Sequence, residues 1–148
     1  MSTPVGITPT APVVPAPATA RRRTLARAGA AISALMIAGG VGPWVETSAG
    51  TIYGYDRDGA IYIGMGAILL VALLLRGVKS RWPSILALIF GVVGVVAAVI
   101  DLESIINPEG LIQAIDPEAG WALYLATVTS VAITVVAVAL LATRRDPR

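Results

Sequence analysis

The chain alternates between long apolar stretches and shorter polar segments. Four stretches contain no Asp, Glu, Lys or Arg, and they run approximately over residues 28–45, 60–75, 82–100 and 119–142. A hydrocarbon core roughly 30 Å thick needs about 20 mostly apolar residues in a helix. The pattern therefore predicts an all-α polytopic membrane protein with a four-transmembrane-helix bundle. The second stretch is the shortest, and it can be completed by the preceding segment from Ile52 to Tyr55, by local thinning of the bilayer or by packing against a partner.

The polar segments alternate in charge, and this alternation predicts the orientation. Ten of the eleven Lys and Arg residues lie before the first stretch, between the second and third, or after the fourth. Eight of the nine Asp and Glu residues lie in the other two segments. Because Lys and Arg are retained on the cytoplasmic side, the N-terminus and the C-terminus are both predicted to be cytoplasmic in the cell membrane. Arg57 is the one cation predicted outside, and Asp56 and Asp58 flank it.

Composition restricts the chemistry that the chain can perform. It is 56% hydrophobic and 14% charged, and 148 residues with four spans leave no room for a second globular domain. The chain has no Cys and no His, which excludes disulfides, thiolate nucleophiles and the usual zinc ligands. We therefore predict no enzyme activity, no cofactor and no catalytic, cofactor-binding or metal residues. The net charge of +2 is split between two membrane faces, so it does not indicate nucleic-acid binding.

The terminal segments differ from the spans. Residues 1–24 are rich in Pro, Ala and Thr and carry charge only at their basic end, so we predict a disordered cytoplasmic tail. Its prolines also allow a polyproline-ligand role. Residues 25–143 form the predicted transmembrane domain, and residues 144–148 form a basic cytoplasmic tail.

The first span also has features of a signal peptide. Basic residues precede an apolar run, and the small residues Thr47, Ser48 and Ala49 follow it. The uncharged leader and the length of the apolar run favour an uncleaved span. Cleavage would instead leave a mature chain that begins at Gly50, with three spans in the same orientation.

Aromatic and capping residues lie at the predicted ends of the spans. We interpret them as anchors at the membrane interface, where an amphipathic ring is stable; they are Trp44, Tyr53, Tyr55, Tyr62, Trp82, Trp121 and Tyr124. Asp116, Pro117 and Glu118 predict an N-cap and first turn for the fourth helix. Asn107, Pro108 and Glu109 repeat this pattern and predict a short helical turn in the second outer loop.

Small residues recur at helical spacing in three of the spans and predict helix contacts, because they let backbones approach closely in a membrane. The series are 26, 30, 34, 38 and 42; 87, 91, 94 and 98; and 122, 126, 130 and 134. Thr127, Ser130 and Thr134 also place three hydroxyls on one face. They allow a polar path, but bonds to the carbonyl one turn earlier are the commoner arrangement. The absence of an ionisable residue within the spans argues against a proton-coupled exporter.

Two acidic clusters allow a cation site. Asp56, Asp58 and Gly59 match the start of a calcium loop, but the remaining ligands are missing, so we favour a polar turn. The second outer loop collects further acids, which topology alone explains; they are Asp101, Glu103, Glu109, Asp116 and Glu118.

Several short motifs carry a resemblance. They are Gly-Pro-Trp at 42–44, Asp-Gly at 58–59, Arg-Trp-Pro at 81–83, Ile-Asp-Leu at 100–102 and Gly-Trp-Ala-Leu-Tyr-Leu at 120–125. The chain resembles, over residues 25–143, small four-helix membrane proteins of actinobacteria and their temperate phages. The resemblance implies the topology and transfers no catalytic residue. Some phage-encoded proteins of this type are thought to exclude other phages together with a cytoplasmic partner, so it also implies prophage-encoded phage exclusion.

Three functions remain open from the sequence. The first is a non-enzymatic scaffold or defence component whose basic inner loops and tail hold a cytoplasmic protein or anionic lipid. The second is a phage holin or other membrane-permeabilising protein, and the third is a minimal transporter or channel. The expected partners are the lipid bilayer, anionic lipid, a cytoplasmic protein and further copies of the chain in a homo-oligomer.

Overall fold

The structure is a computed structural model and describes residues 17–76, 79–107 and 117–143. It is mostly helical, with four helices in the described part of the chain: α1 (Pro17–Val41), α2 (Gly59–Arg76), α3 (Trp82–Ile106) and α4 (Trp121–Ala142). Three short strands form a sheet in the order β2-β1-β3: β1 (Pro43–Thr47), β2 (Gly50–Tyr53) and β3 (Glu118–Ala119). Both pairings are antiparallel. The sheet was not predicted from the sequence.

Three of the helices are long and apolar enough to cross a membrane: residues 19–41 of α1, all of α3 and all of α4. The second apolar stretch forms a shorter helix, α2, of 18 residues. The chain is therefore a membrane protein by the length and composition of its helices.

Helix α3 runs to Ile106 rather than to residue 100, so Asp101 and Glu103 lie within a helix that we predicted to contain no ionisable residue. Helix boundaries also differ from the predicted spans at both ends of α1. The helix begins at Pro17, so residues 17–24, which we predicted as part of a disordered tail, are helical. Proline is well placed there, because the first turn of a helix has no use for its missing N–H. The helix ends at Val41 rather than at residue 45, because Pro43 cannot donate a helical hydrogen bond and disfavours helix in the residue before it. The rest of the N-terminal tail and residues 144–148 lie outside the described residues.

The four helices alternate in direction. Gly40 of α1 lies beside Gly59 at the start of α2, whereas Gly29 lies beside Leu73 near the end of α2. Helix α1 packs against α2 and α4, and α3 packs against α4, while α2 and α3 touch much less. The bundle therefore has two distinct ends. We call residues 19–27, 73–76, 79–82 and 140–143 the basic end, and residues 41–59, 101–107 and 117–121 the sheet end.

The contact between α3 and α4 is built on small residues, as their spacing predicts. Ala87, Gly91, Gly94 and Ala98 are all buried on α3. Gly91 faces Ile133 and Thr134 of α4, and Gly94 faces Ser130 of α4 and Met36 of α1. The predicted contacts of these two helices are confirmed.

The small-residue series on α1 behaves differently. Ala26 and Ala30 are buried, but Ala34 and Ala38 are exposed. A period of four drifts by about 40° per step from the 3.6-residue helix, so the series moves off the contact face. Close approach in α1 instead uses glycines outside the series, such as Gly39, where an added Cβ would lie 2.9 Å from the backbone nitrogen of Ala126.

Candidate functional site

The leading candidate site is a cleft of about 320 Å³ at the basic end. We call it the basic cleft, and it is lined by Arg23, Ala26 and Arg27 of α1, Leu73, Leu74 and Leu75 of α2, and Lys79. The three cations are exposed. Their charge pattern is plain in the sequence, but the sequence does not show that they share one cleft with three leucines. The sequence signal that bears on it is the alternation of consecutive spans, which puts the start of α1 and the end of α2 at the same end of the bundle.

The basic cleft combines a charged wall with an apolar wall. Arg23 and Arg27 are one helical turn apart and therefore lie on the same face of α1. Leu73 is buried, whereas Leu74 and Leu75 are 63% and 72% exposed. Guanidinium groups remain protonated in proteins and have no acceptor, so this set of side chains is suited to binding an anion rather than to acid–base catalysis.

The hydroxyls of α4 do not form a polar path. Thr127 donates to the carbonyl of Leu123 at 2.8 Å, Ser130 to that of Ala126 at 2.7 Å, and Thr134 to that of Ser130 at 2.9 Å. Each hydroxyl therefore has its hydrogen-bond acceptor one turn earlier in the same helix. The structural interpretation of these residues is confirmed.

Trp44 is not an interfacial anchor, and that prediction is wrong. It is only 1% exposed, because β1 folds back over the end of the bundle. Its indole N–H donates to the carbonyl of Gly39 at 2.8 Å. In a helix that carbonyl would accept from residue 43, but Pro43 has no N–H to give. The indole therefore replaces the hydrogen bond that the proline removes.

Tyr62 is likewise buried rather than anchored at the interface. Its hydroxyl donates to the carbonyl of Gly94 at 2.7 Å, which links α2 to α3. Its ring meets Trp44 edge to face, with 5.5 Å between centroids. The other five predicted anchors, Tyr53, Tyr55, Trp82, Trp121 and Tyr124, are between 41% and 65% exposed, as such a role requires. Trp44 and Tyr62 therefore belong to the hydrophobic core next to the sheet end.

The acidic residues do not assemble into a cation site in the described part of the chain. Asp56 and Asp58 are exposed in the turn before α2. Among the described residues, no group of three or more His, Cys, Asp or Glu side chains is placed to hold a metal ion. The interpretation of Asp56 to Gly59 as a polar turn agrees with this geometry.

The second outer loop starts α4 in a different way from the predicted cap. Glu118 and Ala119 pair with Glu46 and Val45 in the sheet, and α4 begins only at Trp121. The predicted start at Asp116, Pro117 and Glu118 is therefore wrong, because sheet pairing holds this segment extended. Asn107 ends α3, and the short turn predicted beyond it lies outside the described residues.

Comparisons with protein-family models, with curated proteins and with solved structures find no match to this chain.

Proposed function

We propose that the protein crosses the cell membrane four times, with both termini in the cytoplasm. Helix α2 is about 27 Å long at 1.5 Å per residue, which a slightly thinned bilayer accommodates. Its outward side is apolar, since Ile61, Ile68, Val71 and Leu74 are each about half exposed or more. The antiparallel order of the helices puts the cations of α1 and those between α2 and α3 at the end of the bundle where α4 ends, and the positive-inside rule favours a cytoplasmic position for that end.

The function that this arrangement supports best is a non-enzymatic membrane scaffold that presents its basic end to a cytoplasmic partner. The basic cleft is the observation that carries the proposal. Between the two ends, the contact of α3 with α4 is closed by small residues, and the hydroxyls of α4 bond within their own helix. A transporter or channel needs polar groups that face a path, and the hydroxyls of α4 do not supply them, so these contacts support binding at the basic end better than permeation along α4.

The topology is tested by single cysteines, for which the natural chain is suited because it contains none. Ser48 lies exposed in the hairpin between β1 and β2, and Ser80 lies between α2 and α3. We expect a membrane-impermeant maleimide to label Ser48→Cys in intact cells and Ser80→Cys only after permeabilisation. Labelling of Ser80→Cys in intact cells would overturn the orientation. Labelling of both variants in intact cells would show that α2, the helix between them, does not span the membrane.

The resemblance narrows the scaffold proposal to phage exclusion with a cytoplasmic partner. We expect induced expression in an actinobacterial host to leave the membrane potential unchanged and to reduce the plating efficiency of some test phages. The readouts are a potential-sensitive dye and plaque counts. We expect the Arg23→Gln/Arg27→Gln variant to restore plating, and the Arg57→Gln variant, which changes a cation at the sheet end, to leave it reduced. Prompt depolarisation and lysis would assign the protein to the holins instead.

A further inference from the structure

The basic cleft carries positive charge that its own segments do not neutralise. Arg23 and Arg27 line it from one face of α1, and Lys79 lines it from the segment after α2. The sequence contains no Asp or Glu in residues 1–45 or 59–100, which include every segment of the cleft. Like charges one turn apart repel each other. An anion in the cleft would relieve this repulsion.

The apolar wall restricts what kind of anion fits. Leu74 and Leu75 are strongly exposed beside the cations, and the chain becomes charged at the next residue, Arg76. A free phosphate has no apolar part that could cover the two leucines. A phospholipid carries its phosphate directly beside its acyl chains, so it matches a cationic wall that adjoins an apolar one.

We propose that the basic cleft binds one anionic phospholipid of the cytoplasmic leaflet. Arg23, Arg27 and Lys79 hold the phosphate, and the upper part of an acyl chain covers Leu74 and Leu75. A guanidinium group matches phosphate oxygens with two parallel hydrogen bonds, whereas the lysine ammonium acts as a point charge. This inference goes beyond the proposed function, because it assigns the cleft itself to a lipid and leaves the cations outside the cleft, such as Arg21 and Arg81, for a cytoplasmic partner. It rests on the proposed topology only for the choice of leaflet.

The test is native mass spectrometry of the full chain in detergent micelles. Phosphatidylglycerol and phosphatidylcholine with identical acyl chains are titrated against the protein. We expect one tightly held phosphatidylglycerol, and a loss of about tenfold in its affinity in Arg27→Gln, since hydrogen bonds to charged groups are the stronger ones. Arg21→Gln is the matched control, because Arg21 is exposed on the same helix and is not among the residues that line the cleft. We expect it to bind as the natural chain does.

Several results would overturn the proposal. One is equal affinity for the two lipids, and another is an equal loss in Arg21→Gln and Arg27→Gln. Displacement by water-soluble glycerophosphate at equal concentration would assign the cleft to free phosphate, and displacement by an acidic peptide would assign it to a protein. We expect Leu74→Ser to weaken lipid binding. An unchanged affinity would show that the acyl chain does not contact Leu74. Both ends of the bundle are accessible in a micelle, so lipid binding there does not depend on the orientation of the protein in the membrane. Failure to bind phosphatidylglycerol would therefore reject the lipid site and not the topology, which the cysteine labels test separately.

Discussion

The Gly91→Leu variant is expected to lose about 3 kcal/mol of its free energy of unfolding, at the upper end of the usual cost of overpacking a core. A Cβ at this position would lie 3.0 Å from the backbone nitrogen of Thr134 and 2.9 Å from Cγ2 of Ile133. A flexible side chain could move away, but the backbone of α4 cannot do so without separating the helices. We therefore expect α3 and α4 to be pushed apart along the whole small-residue contact.

The matched control for this prediction is Gly64→Leu. Gly64 lies in α2, and an added Cβ there would meet nothing within 4 Å. Both substitutions gain about 1 kcal/mol of helix propensity, so only Gly91→Leu adds a clash. The measurement is unfolding by SDS in mixed micelles, followed by tryptophan fluorescence and circular dichroism. Equal midpoints for the two variants would contradict close packing of α3 on α4. We expect Gly64→Leu to match or exceed the natural chain.

The helices could be predicted from the sequence because two independent signals agree on them. Absence of charge over a long apolar run identifies a helix that can cross a membrane, and small residues at helical spacing identify the face that packs. For α3 both signals were sufficient, as the burial of Gly91 and Gly94 shows. The length of the run did not fix the ends of α1, because residues 42–45 are as compatible with a strand as with a span.

The sheet end could not be predicted because its elements are short and distant in sequence. Gly120 donates to the carbonyl of Trp44 at 2.7 Å, and Gly54 donates to that of Gly42 at 2.9 Å. Periodicity says nothing about such pairings. The motifs of the resemblance come together at this end. Gly42 lies against Trp121, and Gly120 lies against Pro43. Gly54 lies against both Trp44 and Gly59, so it joins the motif at 42–44 to the one at 58–59. The glycines permit this contact, since a Cβ on Gly59 would collide with the backbone of Gly40 and Gly54.

The basic cleft was predictable in its charge but not in its shape. Arg23, Arg27 and Lys79 follow from the positive-inside pattern alone. Their convergence depends on which helices are neighbours, and the sequence favours no particular neighbour for α1. The structure places α2 beside it, and that placement brings exposed leucines to the cations.

Trp44→Ala is expected to cost about 3–5 kcal/mol, the usual range for truncation of a large buried aromatic residue. The change removes the indole that covers Gly54 and meets the ring of Tyr62, and it opens a cavity where β1 covers the bundle. Trp82→Ala is the matched control, because Trp82 is 65% exposed. If Trp44 were an interfacial anchor instead, the two truncations would have similar effects on SDS unfolding.

Trp44→Phe separates the hydrogen bond of the indole from its volume. Phenylalanine fills part of the site but cannot donate, so the carbonyl of Gly39 would be left without the indole donor that replaces residue 43. A buried polar group without a partner costs about 1–3 kcal/mol, and we expect this variant to lie between the natural chain and Trp44→Ala. The end of α1 should also fray, which hydrogen exchange at Gly42 and its neighbours would report. Protection of these amides equal to that in the natural chain would show that the helix end does not depend on the indole.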